Sequence, residues 1–97
     1  MNEKVVKSKK MNSLIKRIRE NKNREIVLNK PNLSSKTRDG EKCKTILTIE
    51  NGRSELGTVN TRSYKESVDL IKNTKKIKIN IGWDKNRNEK LVASFIK

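Results

Sequence analysis

Cys43-Lys44-Thr45-Ile46-Leu47-Thr48-Ile49-Glu50-Asn51-Gly52-Arg53-Ser54-Glu55-Leu56-Gly57-Thr58-Val59 is the stretch that decides the fold. From Cys43 to Glu50 the residues alternate. Cys43, Thr45, Leu47 and Ile49 fall on one face, with Lys44, Ile46, Thr48 and Glu50 on the other, the period of two that marks a half-buried strand. Asn51-Gly52 is a strong hairpin cue, because a two-residue primed turn needs the positive φ that Asn and Gly accept most readily. Glu55 to Val59 is then the returning strand, and Gly57 within it signals a bulge or a close backbone approach.

Downstream, Ser63-Tyr64-Lys65-Glu66 reads as a capping box in which Ser63 caps a helix and Glu66 reaches back to it. Tyr64, Val68 and Ile71 form that helix's buried stripe, with Leu70 beside it, and Asn73 is its stop. Lys76 to Trp83 alternates again, with Ile77, Ile79, Ile81 and Trp83 inward and Lys76, Lys78, Asn80 and Gly82 outward. Asp84 to Glu89 is a polar loop, and Leu91 to Ile96, with Phe95 in the core, is a last strand covered on both faces. Upstream, Ile26-Val27-Leu28 before Pro31 gives a first strand, and Asn32 to Glu41 reads as a polar loop turning at Asp39-Gly40.

Before residue 24 the period is 3.6. Met11, Leu14, Ile15 and Ile18 share one helical stripe, Lys16, Arg17, Arg19 and Lys22 take the other faces, and the helix fades in Asn21-Lys22-Asn23. The first eight residues lack periodicity and read as a mobile arm. The division is therefore a basic arm and amphipathic helix over 1–24 and a β-β-β-α-β-β domain over 25–97, an all-β or α+β chain.

Composition limits what such a domain does. The 97 residues carry 25 Lys and Arg against 11 Asp and Glu, a net charge of +14, with no histidine. Hydrophobic residues make up 31%, below the ~45–50% of ordinary globular chains, so the core is small. Without histidine no Ser-His-Asp or Cys-His constellation can form and the commonest neutral-pH base is missing. No phosphate-cradling glycine loop is present either. The expectation is a protein that is not an enzyme and takes no cofactor. A metal site of cysteine and histidine is excluded, because Cys43 stands alone. In the inward register Cys43 is a small core residue, and with no apolar run long enough to cross a bilayer, a cytoplasmic setting without stable membrane insertion is expected.

The charge is unevenly spread. Met1 to Arg24 holds nine basic and two acidic residues, half of the net +14. Such an excess calls for a polyanionic partner.

Thr37-Arg38-Asp39-Gly40-Glu41-Lys42, leading into Thr45 to Leu56, resembles the OB domains of the anticodon-binding type found in bacterial DNA polymerase III alpha subunits and aminoacyl-tRNA synthetases. Lys76-Ile77-Lys78-Ile79-Asn80-Ile81-Gly82 is similar to their apolar strand ending in glycine. The resemblance covers Ile26 to Lys97, with Gly57 where the family carries a bulky apolar residue and Asn51 in place of the turn aspartate. It implies a small five-stranded OB-like Greek-key barrel, preceded here by the basic helix. It also implies a ligand crossing strands two and three between the first and the last loops.

Placed on that frame, the candidate nucleic-acid contacts are Lys36, Arg38, Lys42, Lys44 and Arg53 around the first loop and ligand face. Lys78, Trp83, Lys85 and Arg87 lie around the last loop, with Lys16, Arg17 and Arg19 on the N-terminal helix. Trp83 either plugs the core, the preferred alternative, or forms a stacking platform at the rim. The expected function is a small basic protein holding single-stranded DNA or RNA mainly through phosphates. A second possibility is an accessory or inhibitor module docking on an acidic protein surface or in the nucleic-acid channel of a larger enzyme. A third is membrane-surface association through Met11 to Lys22.

Overall fold

The alternation around Leu47 and Ile49 becomes the central strand of a sheet, and the rest of the chain is arranged about it. A computed structural model describes residues 2–29, 32–37, 45–52 and 54–97. The elements are β1 (Asn2–Val6), α1 (Met11–Glu20), β2 (Glu25–Leu28), β3 (Asn32–Thr37), β4 (Thr45–Asn51), β5 (Ser54–Thr61), α2 (Tyr64–Asn73), β6 (Lys76–Trp83) and β7 (Glu89–Ile96). Antiparallel pairing gives a four-stranded sheet in the order β1-β7-β6-β2 and a three-stranded sheet in the order β3-β4-β5. The expected β-rich α+β character holds. The described residues form seven strands in two sheets, with no closed barrel, where five strands closed into a barrel were expected.

Two of those strands correct the sequence expectation. The supposed mobile arm contains β1, which pairs along β7 from Asn2 opposite Phe95 to Val6 opposite Leu91. Among its described side chains only Val6 is buried and Lys4 is half-buried, so no alternating apolar pattern announces the strand. The supposed loop after Pro31 begins with β3, an edge strand whose one apolar residue, Leu33, sits among polar ones.

The β4–β5 hairpin forms where expected, one residue along. Asn51 still pairs with Ser54, and Gly52 adopts a positive φ of 65° at the start of the turn. Ile49 pairs with Gly57 but Glu50 with Glu55, so Leu56 is the extra residue of a bulge. Gly57 also meets the close approach its sequence position suggested. A Cβ there would lie 2.5 Å from Val6 Cγ1 and 2.9 Å from the Lys7 carbonyl oxygen. That proximity lets Lys7 and Thr58 exchange backbone hydrogen bonds of 2.8 and 2.9 Å, which join the two sheets.

The helices close the core. α1 packs Ile15 and Ile18, with half-buried Met11 and Leu14, against β2 and β6 as its stripe predicts. α2 packs on the three-stranded sheet with its stripe rotated from the expected one. Ser67, Leu70 and Thr74 are buried, whereas Tyr64, expected in the core, is 60% exposed. A small hydroxyl explains the rotation. Thr61 Oγ1 donates to the Thr45 carbonyl at 3.0 Å, so its one proton is used, and Ser67 Oγ donates to Thr61 Oγ1 at 2.7 Å. The helix therefore lies close to β4 and β5 on the side of its serine.

Ser63 caps α2 by accepting from the Glu66 N–H, but the Glu66 carboxylate turns to the Arg62 N–H at 2.8 Å and to Lys4 Nζ at 2.8 Å. The capping box thus becomes a tie between α2 and β1. Phe95 is buried with Leu47, Ile49, Ile77 and Leu91 in a single core. Cys43 lies outside the described residues, and no described helix is long and apolar enough to cross a membrane.

Two outcomes follow from these contacts. Gly57→Ala overpacks the β1–β5 junction and should destabilise the fold by about 1–3 kcal/mol, read from the urea midpoint. Val6→Ala should rescue it only in part, because the Lys7 carbonyl remains in the way. The Lys4 ammonium, and next the Arg62 N–H, hold the Glu66 carboxyl below the usual carboxylate range. A depressed folded-state pKa stabilises above the unfolded value, and that contribution is lost as pH falls through the folded value. Glu66→Gln should therefore cost less than about 1 kcal/mol at neutral pH and nothing at acid pH, measured as urea midpoints through the carboxylate range.

Candidate nucleic-acid interface

β6 runs past the edge of the core, and its last inward-facing position is Trp83. Its neighbours in that set, Ile77 and Ile79, are buried, whereas Trp83 is 62% exposed. The indole stands exposed at the rim, so the expected core plug is corrected. α1 packs on β2 and β6 through Ile15 and Ile18 and leaves the indole exposed.

The β6–β7 hairpin beside it is tightly bonded. Asp84 N donates to the Asn88 carbonyl at 3.0 Å and Arg87 N to the Asp84 carbonyl at 3.1 Å. The Asp84 carboxylate accepts from the Asn86 and Asn88 N–H groups at 2.9 and 2.8 Å. This turn needs a left-handed residue before Asn88, and Arg87 occupies it with φ 61°. A side chain there costs roughly 1–2 kcal/mol relative to glycine.

α1, the end of β6 and the hairpin enclose a groove of about 450 Å³. Lys16, Arg19, Trp83 and Arg87 line it, over an apolar floor of Met11 and Ile15. Four sequence-selected residues from two distant segments thus meet at one place. Glu89, paired across the sheet from Trp83, accepts from the Arg19 guanidinium through Oε1 and steadies that side chain. Its other oxygen is shielded from solvent and has no hydrogen-bond partner among the described residues.

The remaining candidates divide. Lys85 sits exposed on the same hairpin, and Arg17 is exposed on α1 outside the groove. Lys78 projects from the outer face of the four-stranded sheet, 3.9 Å from Glu25, so it is not brought to the groove. Arg38, Lys42, Lys44 and Arg53 lie outside the described residues, as does the side chain of Lys36 on β3.

Arg24 was not singled out by sequence, yet it is the other non-glycine residue described with a positive φ, 53°. It closes the α1–β2 turn by donating to the Asn21 carbonyl at 3.0 Å. Because Glu25 pairs with Asn80, Arg24 lies at the end of the sheet where β6 runs on to Trp83. The Asn21-Lys22-Asn23 turn signalled a chain reversal but not that the residue after it would take the positive φ. Among the described residues no group of three or more Cys, Asp or Glu side chains could hold a metal ion.

Arg87→Gly should raise the stability of the protein by up to about 1 kcal/mol by relieving the left-handed backbone. Arg87→Ala, which keeps the strain, should not, and paired thermal melts of the two variants measure the difference. No protein-family model, curated protein or solved structure matches this chain.

Proposed function

We propose that the chain is a small nucleic-acid-binding protein that holds single-stranded DNA or RNA in the groove beside Trp83. The observation that carries this reading is the convergence of Lys16, Arg19 and Arg87 around one exposed indole. Cations spaced along a groove neutralise successive phosphates, and a free aromatic face takes a base by stacking without regard to sequence. A duplex keeps its bases stacked on each other and offers none to Trp83, so a single strand is the better ligand.

An OB-like arrangement is part of the proposal. Its support is the pairing pattern. With β2 and β3 taken as one interrupted first strand, the pairs β3–β4, β4–β5, β6–β7 and β2–β6 are the neighbours expected of a five-stranded OB sheet. β1 then stands between the third and the fifth strands, paired to β7 and bridged to β5 at Lys7 and Thr58. In this arrangement the β6–β7 hairpin is the last of the two ligand-gripping loops.

Binding is mainly electrostatic. Four phosphate contacts, from Lys16, Arg19, Lys85 and Arg87, give a log-log salt slope of about −3 on a single strand. Trp83 is the one tryptophan, so its fluorescence reports stacking directly. Titration with short single-stranded DNA and RNA at two salt concentrations should quench it. Trp83→Ala, read by the anisotropy of a labelled oligonucleotide, should weaken binding by about 1–3 kcal/mol and leave the salt slope unchanged. An emission that ignores the oligonucleotide, or an affinity that ignores salt, would contradict the proposal.

A further inference from the structure

A second groove, of about 540 Å³, opens where β1 meets β5. Lys7, Lys9 and Lys10 line it above Leu56, Gly57 and Thr58, with Glu55 the one acid among the described residues that line it. None of these lysines belongs to the site beside Trp83. Their placement is fixed by the backbone. Lys7 is held to Thr58 through both of its main-chain groups, and the Lys10 N–H donates to Ser8 Oγ at 3.2 Å. All three side chains are exposed, and no salt bridge involves them among the described residues.

The two grooves adjoin along the chain at the start of α1. The second ends on Lys10, and the one beside Trp83 begins on the next residue, Met11. The first turn of α1, which lies between them, carries no acidic residue. Among the described residues each groove has three cations and one carboxylate on its walls.

We infer that the two grooves form one track for a single nucleic-acid strand. One part of the strand is held beside Trp83, and the phosphates beyond it run past the start of α1 onto Lys7, Lys9 and Lys10. The inference rests on the nucleic-acid reading of the Trp83 groove and extends it to a length requirement. A short oligonucleotide fills one groove and a longer one spans both. Contacts in the second groove are to the phosphodiester backbone, which DNA and RNA share.

The test is a length series on the full chain, read by fluorescence anisotropy with single-stranded DNA and RNA of about four and about twelve nucleotides, within the range that small single-strand binders cover. The wild type should bind the longer oligonucleotides at least about tenfold more tightly, and combined Lys7→Gln, Lys9→Gln and Lys10→Gln should remove that advantage. The short ones should change less than about twofold, and the salt slope on the long ones should fall by about 2. Lys→Arg at the same three positions should retain the long-strand affinity, and thermal melts should report an unchanged fold for both variants. Equal affinity for both lengths, or equal losses on both, would overturn the single track while leaving the Trp83 groove as a site. No binding of the wild type at low salt would overturn both.

Discussion

The backbone exchange between Lys7 and Thr58 is the constraint on which the rest of the molecule depends. A chain with this little apolar content cannot enclose a core between two independent sheets, so an element must belong to both. β1 does so, paired to β7 along its length and joined to β5 at its end. Gly57 permits the junction by leaving room for Val6 and the Lys7 carbonyl. Four residues after Lys7, α1 begins, so the same junction sets where the helix starts and how Ile15 and Ile18 reach the core. Lys4, on the same strand, reaches Glu66 and ties α2 to the assembly.

How much of this was legible in the sequence depended on whether packing followed apolar periodicity. β4, the β4–β5 hairpin, β6 and α1 did, and Leu47, Ile49, Ile77, Ile79, Ile15 and Ile18 are buried where alternation or helical spacing put them. β1 and β3 did not. Each is a strand with few apolar contacts, and Val6 and Leu33 are too isolated to show a period. α2 misleads in another way. Its apolar residues favour one stripe, but a hydrogen-bonded trio of Thr45, Thr61 and Ser67 draws a different face onto the sheet. Polar contacts of that kind depend on three segments meeting and leave no periodic trace.

The site was legible as a charge pattern and not as a place. Lys16, Arg19 and Arg87 stood out as cations in the right segments, but only the fold brings α1 beside the β6–β7 hairpin. Trp83 had the parity of a core residue, and its exposure is a property of packing that alternation does not carry. Part of the positive charge therefore lines particular grooves, Lys7, Lys9 and Lys10 in one and Lys16, Arg19 and Arg87 in the other.

Native-state amide hydrogen exchange at Lys7 and Thr58 tests the central claim most directly, because it reads the junction without altering it. If β1 ties the sheets together, both amides should exchange only through openings about as costly as global unfolding, at the level of the buried β6 and β7 amides. Exchange at those two positions as fast as at a fraying terminus, with β6 and β7 still protected, would contradict it.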